Sequence, residues 1–247
     1  MCTLSWVATR DGYELLFNRD ERHQRAEEHP AALRDREGVR YVAPLDGEAG
    51  GSWLATNEFG ATVALLNYYL AAYEPSERLQ RSRGDVVLEL ADVEGPAHTA
   101  MRLNDLELAA FRGFTLFVAG PGERPRCWDW DGAALMEERG IPQRLPLVSS
   151  GRDQKTARTV RKAAWRELLM AHDGIVDGAL LERFHRGHDG GRGPWSACMH
   201  REDARTRSFL HVRVDSAGVE VRYEPDSPCQ RAVPVVHVLP RRSPVVR

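Results

Sequence analysis

The sequence predicts an α+β fold in which two antiparallel sheets carry helices on their outer faces. Three observations support this prediction. Apolar runs of strand length, separated by turn residues, occupy both ends of the chain. The longest helical patterns lie between these two groups of strands. Neighbouring strands are joined by short turns, as in hairpins, which favours sheets packed face to face with helices outside.

The first predicted element is a hairpin. Residues 3–9 are rich in strand-forming residues, and residues 13–18 form a second apolar run. Between them stands Asp11-Gly12, a dipeptide typical of tight hairpin turns. Such a hairpin returns the end of the second strand to the start of the first. We therefore expect the residues that follow position 18 to lie beside the start of the chain.

The remaining elements follow in order. Residues 23–38 are polar and charged and predict a loop, and the paired glycines of residues 46–53 predict a tight turn rather than a phosphate site. Strands are predicted at residues 39–44, 53–56, 61–66, 114–119, 126–130, 145–151, 209–214, 219–223 and 233–238. Helices are predicted at residues 84–91, 96–103, 153–172 and 175–185. The apolar stripe of the third helix consists of Ala157, Val160, Ala164, Leu168 and Leu169.

Composition excludes several classes of protein. The chain has 247 residues, 42% of them hydrophobic and 28% charged, which suits one globular domain spanning residues 1–247. The net charge of −2 gives no reason to expect a nucleic-acid partner. No apolar run approaches the ~20 residues that a membrane span needs, and no signal peptide is recognisable. We therefore expect a cytoplasmic protein without a membrane partner.

Cys2 is the first candidate for chemistry. Because cysteine is small, we expect Met1 to be removed, which leaves a thiol and an α-amine on one residue. A cysteine thiol has a pKa of roughly 8.5 and an α-amine one of roughly 7.7–8.0. The amine can then take the thiol proton near neutral pH, and no separate base is required. The alternative is that a cysteine at position two has no catalytic role.

The hairpin places two charged side chains near Cys2. Asp20 can orient the α-amine, and Arg19 is a fixed cation that favours the thiolate. The alternative is that Arg19, Asp20 and Arg22 form a surface ion-pair cluster after a strand.

These residues also carry a resemblance. The opening Met1-Cys2-Thr3, with Asn18-Arg19-Asp20-Glu21 at the end of the second strand, resembles the NRDE protein family, which includes transport and Golgi organisation protein 2. That family is similar to the N-terminal nucleophile hydrolases, close to choloylglycine hydrolases and penicillin V acylases. The resemblance implies a four-layer αββα sandwich, cleavage of a non-peptide amide bond, and Cys2 as the nucleophile.

The resemblance implies further site residues. Asn67 corresponds to an oxyanion-hole asparagine, a donor typically worth ~3–4 kcal/mol of barrier, although an asparagine can also simply end a strand. Ser150 stands where relatives have a site asparagine, which puts their substrates in doubt. Arg207 corresponds to an arginine near the nucleophile, or else is an exposed strand-edge residue. His200 is a further lining candidate.

Tyrosines and histidines elsewhere suggest a pocket rim rather than a metal site. Tyr68, Tyr69 and Tyr73 lie on a polar loop, where specificity residues often occur. The run from His185 to Gly191 suggests a mobile loop near the site. The four cysteines show no metal-ligand spacing, so we expect neither a metal nor another cofactor.

Two hypotheses of function follow. The first is an amidohydrolase that cleaves the C–N bond of a small N-acyl substrate, with Cys2, Asp20, Asn67 and Arg19 as catalytic residues. The second is a non-catalytic small-molecule binding or trafficking protein on the same fold. A homo-oligomer is compatible with the sequence, but nothing in it indicates a regulatory dimer module.

Overall fold

A computed structural model describes residues 2–69, 81–138 and 141–243. In these parts of the chain, the strands form two sheets in which every pairing is antiparallel. The six-stranded sheet has the order β10-β1-β2-β11-β12-β13. The seven-stranded sheet has the order β3-β4-β5-β6-β7-β8-β9.

The strands and helices have the following bounds. The strands are β1 (Cys2–Ala8), β2 (Tyr13–Arg22), β3 (His29–Arg36), β4 (Val39–Leu45), β5 (Leu54–Asn57), β6 (Thr62–Asn67), β7 (Phe114–Ala119), β8 (Arg126–Trp130), β9 (Leu135–Glu137), β10 (Leu147–Ser149), β11 (Ala204–Val214), β12 (Val219–Pro225) and β13 (Val235–Leu239). The helices are α1 (Arg83–Glu89), α2 (Pro96–Arg102), α3 (Ile141–Arg144), α4 (Gln154–Ala171) and α5 (Gly178–Arg186).

The predicted first hairpin is present, and its register decides which side chains share a face. β1 pairs with β2 so that Cys2 lies opposite Arg19 and Leu4 lies opposite Phe17. Side chains alternate along a strand, so these residues share the face that carries the central core. Thr3 and its partner on β2, Asn18, point to the other face. The hairpin thus gives Cys2 an inward-facing position.

Two sheets and the helices on their outer faces form four layers, which pack through three apolar interfaces. Between the sheets, the core includes Leu4, Leu15, Phe17, Leu54, Leu66 and Phe117. On the outside of the seven-stranded sheet, α1 packs Val86 and Val87 onto Val63 and Leu65. On the outside of the six-stranded sheet, α5 packs Leu181 against Leu16 and Phe209. The molecule is therefore an α+β protein with the αββα arrangement that the resemblance implied.

Helix ends follow sequence signals. Ser82 caps α1 by accepting from the Gly84 amide, and Asp153 caps α4 by accepting from the Thr156 amide. Side chains that accept from the free amides of a first turn stabilise a helix by about 1 kcal/mol. The predicted starts of these helices are confirmed to within one residue.

Some predictions were wrong. Residues 23–38 were predicted as a loop, but they contain β3, an edge strand of the seven-stranded sheet. The stripe of α4 was also misplaced: Val160 is only half-buried, and the buried position belongs to Arg161. The region that includes Tyr73 lies outside the described residues.

In the described parts of the chain, no helix combines the length and the apolar character that crossing a membrane requires.

The run from His185 to Gly191 was predicted as a mobile loop, but its first residue is buried on α5. His185 lies against β1, where its Nε2 is 2.8 Å from the Ser5 hydroxyl. Burial lowers the pKa of His185 to about 3. The imidazole is therefore neutral at pH 7 and serves the packing of α5 on the sheet.

This burial predicts acid sensitivity. In the unfolded chain His185 takes up a proton as the pH falls below its ordinary value of 6.5, whereas the folded chain excludes that proton down to about 3. The free energy of unfolding should therefore fall as the pH is lowered through this range. In His185→Gln the fall should be shallower, as measured by urea unfolding at several pH values. The exposed His29→Gln variant is the control, and equal slopes for wild type and His185→Gln would contradict the assignment.

Candidate active site

A cleft of about 390 Å³ opens at one end of the sandwich, where the ends of β1, β2 and β6 meet the start of α1. Cys2, Arg19, Asp20 and Asn67 all line it. The structure therefore brings together all four residues that the sequence proposed as catalytic. Their roles in catalysis remain a proposal.

Cys2 occupies the first position of an interior strand. It lies opposite Arg19 on β2 and opposite Ser149 on β10, and its side chain is partly exposed at the cleft. Burial raises the pKa of the Cys2 thiol, while the N-terminal ammonium, the Asp20 backbone amide and Arg19 act in the opposite direction. A thiol whose pKa is raised carries its proton at neutral pH.

Asp20 is held from the helical side of the sheet. Its Oδ2 accepts from the Arg161 guanidinium at 2.8 Å and its Oδ1 from the Thr206 hydroxyl at 2.6 Å. Arg161 also donates to Thr3 Oγ1 and to the Trp195 carbonyl. Both ionic side chains are completely buried. Buried charges are tolerated when they are paired and hydrogen-bonded, so this network gives Asp20 one fixed orientation.

Register places the main chain of Asp20 beside Cys2. Cys2 pairs with Arg19, so its α-nitrogen, on the side toward Met1, faces the position of Asp20 in the antiparallel pair. The Asp20 backbone amide also donates toward the Cys2 thiol. The main chain of Asp20 therefore lies next to the start of β1.

Arg19 binds carboxylates and does not act on the thiol alone. It donates to Glu28 and, at 2.5 Å, to Asp46, and its guanidinium lies 4.5 Å from the ring centre of Trp53. Arg25 binds the same Asp46 carboxylate. Arg19 therefore anchors the loop before β5 to the sheet that carries Cys2, and its effect on the thiol pKa is the smallest of those acting on Cys2.

Close backbone contact forms another wall. The Ser52 amide donates to the Gly84 carbonyl at 3.1 Å, and a β-carbon on Gly51 would come within 2.7 Å of Gly84. Glycine is thus required here because the loop before β5 lies directly against the start of α1. The paired glycines bring the Asp46 loop over the cleft.

Asn67 ends β6 at the rim. Its amide nitrogen donates to the Tyr69 hydroxyl at 2.8 Å, which uses one of its two N–H groups. Within residues 2–69, 81–138 and 141–243, its second N–H group has no hydrogen-bond acceptor. Tyr69 lies against Gly151, where a β-carbon would come within 3.0 Å of its ring.

The described walls of the cleft are rich in arginine, namely Arg19, Arg25, Arg81, Arg83 and Arg112. Arg81 is paired with Asp85 and Glu89. Arg83 differs, because among the described residues it has no carboxylate partner and donates to the Gly113 carbonyl at 3.2 Å. Burial lowers the pKa of Arg83, and charges on Tyr69 and Cys2 would oppose that shift. Arg83 is thus a cation available to an anionic ligand.

Four other candidates are not among the residues that line the cleft. Tyr68 borders a smaller neighbouring depression that also includes Ser149. The Ser150 hydroxyl accepts from the amides of Arg152 and Asp153 and so stabilises the turn before α4.

Arg207 and His200 are the other two. Arg207 lies at a bulge in β11 and donates to the carbonyls of Arg22 and Arg25. His200 lies beside Cys198 and His188, on the other side of β11. Neither residue is among those that line the cleft.

Sequence reasoning missed Arg161 and Arg83. Arg161 had a signal, since it follows Ala157 by four positions and precedes Leu168 by seven on the buried face of α4. A charged residue at a core position of an amphipathic helix usually has a buried partner. Arg83 had no comparable signal, because its exposure and its pairing depend on the packing of α1.

Comparisons with known proteins identify the family and the fold. A model of the family described as Transport and Golgi organisation 2 matches residues 1–128. No curated protein matches the chain. Among solved structures, penicillin V acylase from Agrobacterium tumefaciens superposes with a TM-score of 0.55 and 10% identity, covering 97% of this chain and 86% of that chain. A mutant of conjugated bile acid hydrolase from Clostridium perfringens gives 0.53 and 10%, with 97% and 92% covered. At these identities the likeness concerns the fold.

The buried ion pair generates a stability prediction. Arg161→Met leaves the Asp20 carboxylate buried without its cation, which should lower the free energy of unfolding by about 3–5 kcal/mol. The double variant Asp20→Asn with Arg161→Met should recover much of the loss, because no charge is left unpaired. Urea unfolding measures both. Arg158→Met, exposed on the same helix, is the control; equal losses in Arg158→Met and Arg161→Met would contradict the assignment.

Proposed function

This chain belongs to the Transport and Golgi organisation 2 family, and we propose that it is a cysteine amide hydrolase with Cys2 as its N-terminal nucleophile. One observation carries the proposal. Cys2 faces a cleft at the start of an interior strand, with the main chain of Asp20 beside its α-nitrogen and Asn67 at the opposite rim. The similar structures bear the names of an acylase and a hydrolase, which supports this reaction class.

The proposed reaction begins after removal of Met1, which places the α-amine on Cys2. The amine takes the thiol proton as sulfur attacks the amide carbonyl, and a tetrahedral oxyanion forms. The free N–H of Asn67 donates to that oxygen. The ammonium then returns the proton to the departing nitrogen, so the C–N bond breaks and an amine leaves. Water, deprotonated by the same amine, hydrolyses the thioester and releases the acid.

The Asp20 network supplies orientation in this scheme. Arg161 and Thr206 occupy both carboxylate oxygens from the helical side, so Asp20 is fixed before substrate binds. A fixed carboxylate beside the α-amine favours the charged ammonium form. When the amine is neutral, the same carboxylate orients the amine's lone pair. The raised pKa of the thiol fits this scheme, because the sulfur carries its proton until the amine removes it.

The arginine-rich walls suggest the substrate class. A cation without a carboxylate partner, as Arg83 is among the described residues, is stabilised by an anionic ligand. We infer that the substrate is a small N-acyl amide with a carboxylate, of which N-acyl amino acids are the simplest examples. A guanidinium can bind a carboxylate through two parallel hydrogen bonds.

Substitution of the nucleophile and of the oxyanion donor tests the proposal. Cys2→Ala should abolish release of amine from N-acyl amino acids. Asn67→Ala should lower kcat by ~10²–10³ while leaving the alkylation rate of Cys2 almost unchanged, since the donor acts after attack begins. Asn104→Ala, on a surface segment remote from the cleft, is the matched control. Intact mass of untagged protein should show Cys2 as the first residue.

Two outcomes would contradict the hydrolase. One is turnover in Cys2→Ala equal to that of the wild type; the other is full activity in protein that retains Met1. Tight binding of an amide without cleavage, unchanged in Cys2→Ala, would instead support the small-molecule binding protein.

A second prediction concerns the anionic group. Arg83→Met should lower kcat/KM about 10–100-fold for an N-acylglycine, because a hydrogen bond to a charged group contributes about 1.5–3 kcal/mol. The neutral methylamide of the same N-acylglycine should be affected little. Arg81→Met is the matched comparison, since the Arg81 charge is already paired with Asp85 and Glu89. An equal loss for the anionic and the neutral substrate would contradict a role for Arg83 in charge recognition.

A further inference from the structure

Four side chains that can bind a metal meet on the far side of β11 from the Cys2 cleft. His188 belongs to the loop after α5, and Cys198 and His200 belong to the segment that enters β11. Cys229 lies in a short 3-10 helix, Pro228–Gln230, after β12. Three separate segments therefore contribute to one cluster, and both of its cysteines are free thiols.

The distances from His200 to the other three ligand atoms are close to those of a tetrahedral site. All four lie within 4.8 Å of one another. His200 Nε2 is 3.0 Å from His188 Nε2 and 3.5 Å from each of the Cys198 and Cys229 sulfurs. Zn–N bonds of ~2.0–2.1 Å and Zn–S bonds of ~2.3 Å at tetrahedral angles give separations of about 3.3 Å between nitrogens and about 3.6 Å between nitrogen and sulfur.

We propose that His188, Cys198, His200 and Cys229 bind one Zn²⁺ ion. Two thiolates and two imidazoles form the donor set that favours zinc over magnesium or calcium. Because four protein ligands fill the tetrahedron, no position is left for a substrate or a reactive water. The site is therefore structural, and it acts by joining the three segments.

Backbone hydrogen bonds already hold the ligand segments in place. The Cys198 amide donates to the Gly187 carbonyl at 3.2 Å, and the His200 amide donates to the Gly193 carbonyl at 3.0 Å. Gly191 has a φ of 106°, a conformation that side chains rarely adopt, at the point where the loop turns back. Such a scaffold orients the ligands before a metal binds.

A disulfide between Cys198 and Cys229 is the competing use of the two thiols. It would not explain why His200 Nε2 lies at equal distances from both sulfurs while also meeting a second imidazole nitrogen. Neutral imidazole nitrogens have no attraction for a disulfide, but they complete the coordination of a zinc ion bound to two thiolates. The histidines therefore favour the metal.

One neighbour must move when the ion binds. The exposed Arg192 guanidinium lies 3.4 Å from His200 Nδ1, and arginine can only donate. A metal at Nε2 requires the proton of a neutral imidazole on Nδ1, so Arg192 has to turn toward solvent. Arg192→Ala should therefore bind zinc at least as tightly as the wild type.

The zinc site is connected to Asp20 by two contacts. The amide of Met199, between the ligands Cys198 and His200, donates to the Thr206 hydroxyl at 2.8 Å, and that hydroxyl donates to Asp20 at 2.6 Å. An ion that fixes the segment around Met199 thereby fixes the Thr206 hydroxyl that donates to Asp20. This connection does not depend on the proposed amidase activity.

Metal analysis tests the proposal directly. Protein made without a histidine tag and kept reduced should contain about one zinc per chain by plasma mass spectrometry, as one tetrahedral site requires. His188→Ala and Cys198→Ser should lose most of this zinc. His29→Ala, an exposed histidine on β3, and Cys127→Ser, a cysteine in the central core, should keep it.

Two measurements on the wild-type chain cover the case in which variants fail to fold. Removal of zinc by a strong chelator should lower Tm, and added Zn²⁺ should restore it. Co²⁺ in place of zinc should show thiolate charge-transfer bands and the intense visible bands of tetrahedral cobalt, with the charge-transfer bands weakened in Cys229→Ser. Reduced protein that contains no zinc and takes up neither ion would overturn the proposal, as would a metal content unchanged in both ligand variants.

Discussion

The ion pair between Asp20 and Arg161 is the constraint on which the candidate site depends. It is completely buried, and it connects the end of β2 to the middle of α4, which lie far apart in sequence. A buried pair of charges adds little net stability compared with apolar residues, but losing one partner is costly. The arrangement therefore specifies where β1, β2 and α4 sit relative to one another. The same contact fixes the side chain of Asp20, whose main chain lies beside Cys2.

The two faces of the β1–β2 hairpin carry side chains of different kinds. The inner face carries Cys2 and Arg19 toward the cleft and, further along, Leu4 and Phe17 into the central core. The outer face carries polar side chains toward α4 and α5. Charges that would be costly in an apolar core are thus collected on the side where helices supply partners. The proposed zinc ion extends this second group by bracing the strand that carries Thr206.

The sequence was sufficient for the parts of the fold that depend on local pattern. The first hairpin follows from its turn dipeptide and is present, and α1 and α4 begin within one residue of the predicted starts. β3 was missed because edge strands carry charged residues that protect them from further pairing. In the sequence, such a charged run is also typical of a loop. Arg161 was missed because the apolar stripe was fitted to its neighbour Val160.

The site was predictable only where the chain returns on itself within a hairpin. Cys2, Arg19 and Asp20 are brought together by one turn, and Asn67 was found through a resemblance. The cluster of His188, Cys198, His200 and Cys229 has spacings of ten, two and twenty-nine residues, which match no short motif. Its members meet only because α5, β11 and β12 pack side by side. Ligands that come from three separate segments can be recognised in the structure but not from their spacing in the sequence.

The alternation of side chains along β1 makes the length of the first hairpin as constrained as its chemistry. Successive side chains of the seven-residue strand β1 point to opposite faces of the sheet. Whether Cys2 faces the cleft therefore depends on the number of residues between Cys2 and the turn at Asp11-Gly12. Insertion of one residue in that arm would turn the thiol toward α4 and place Thr3 at the cleft instead. A change of two residues would restore the facing but move the thiol along the strand by about 7 Å. The number of residues in this arm therefore sets both the face and the position of the thiol.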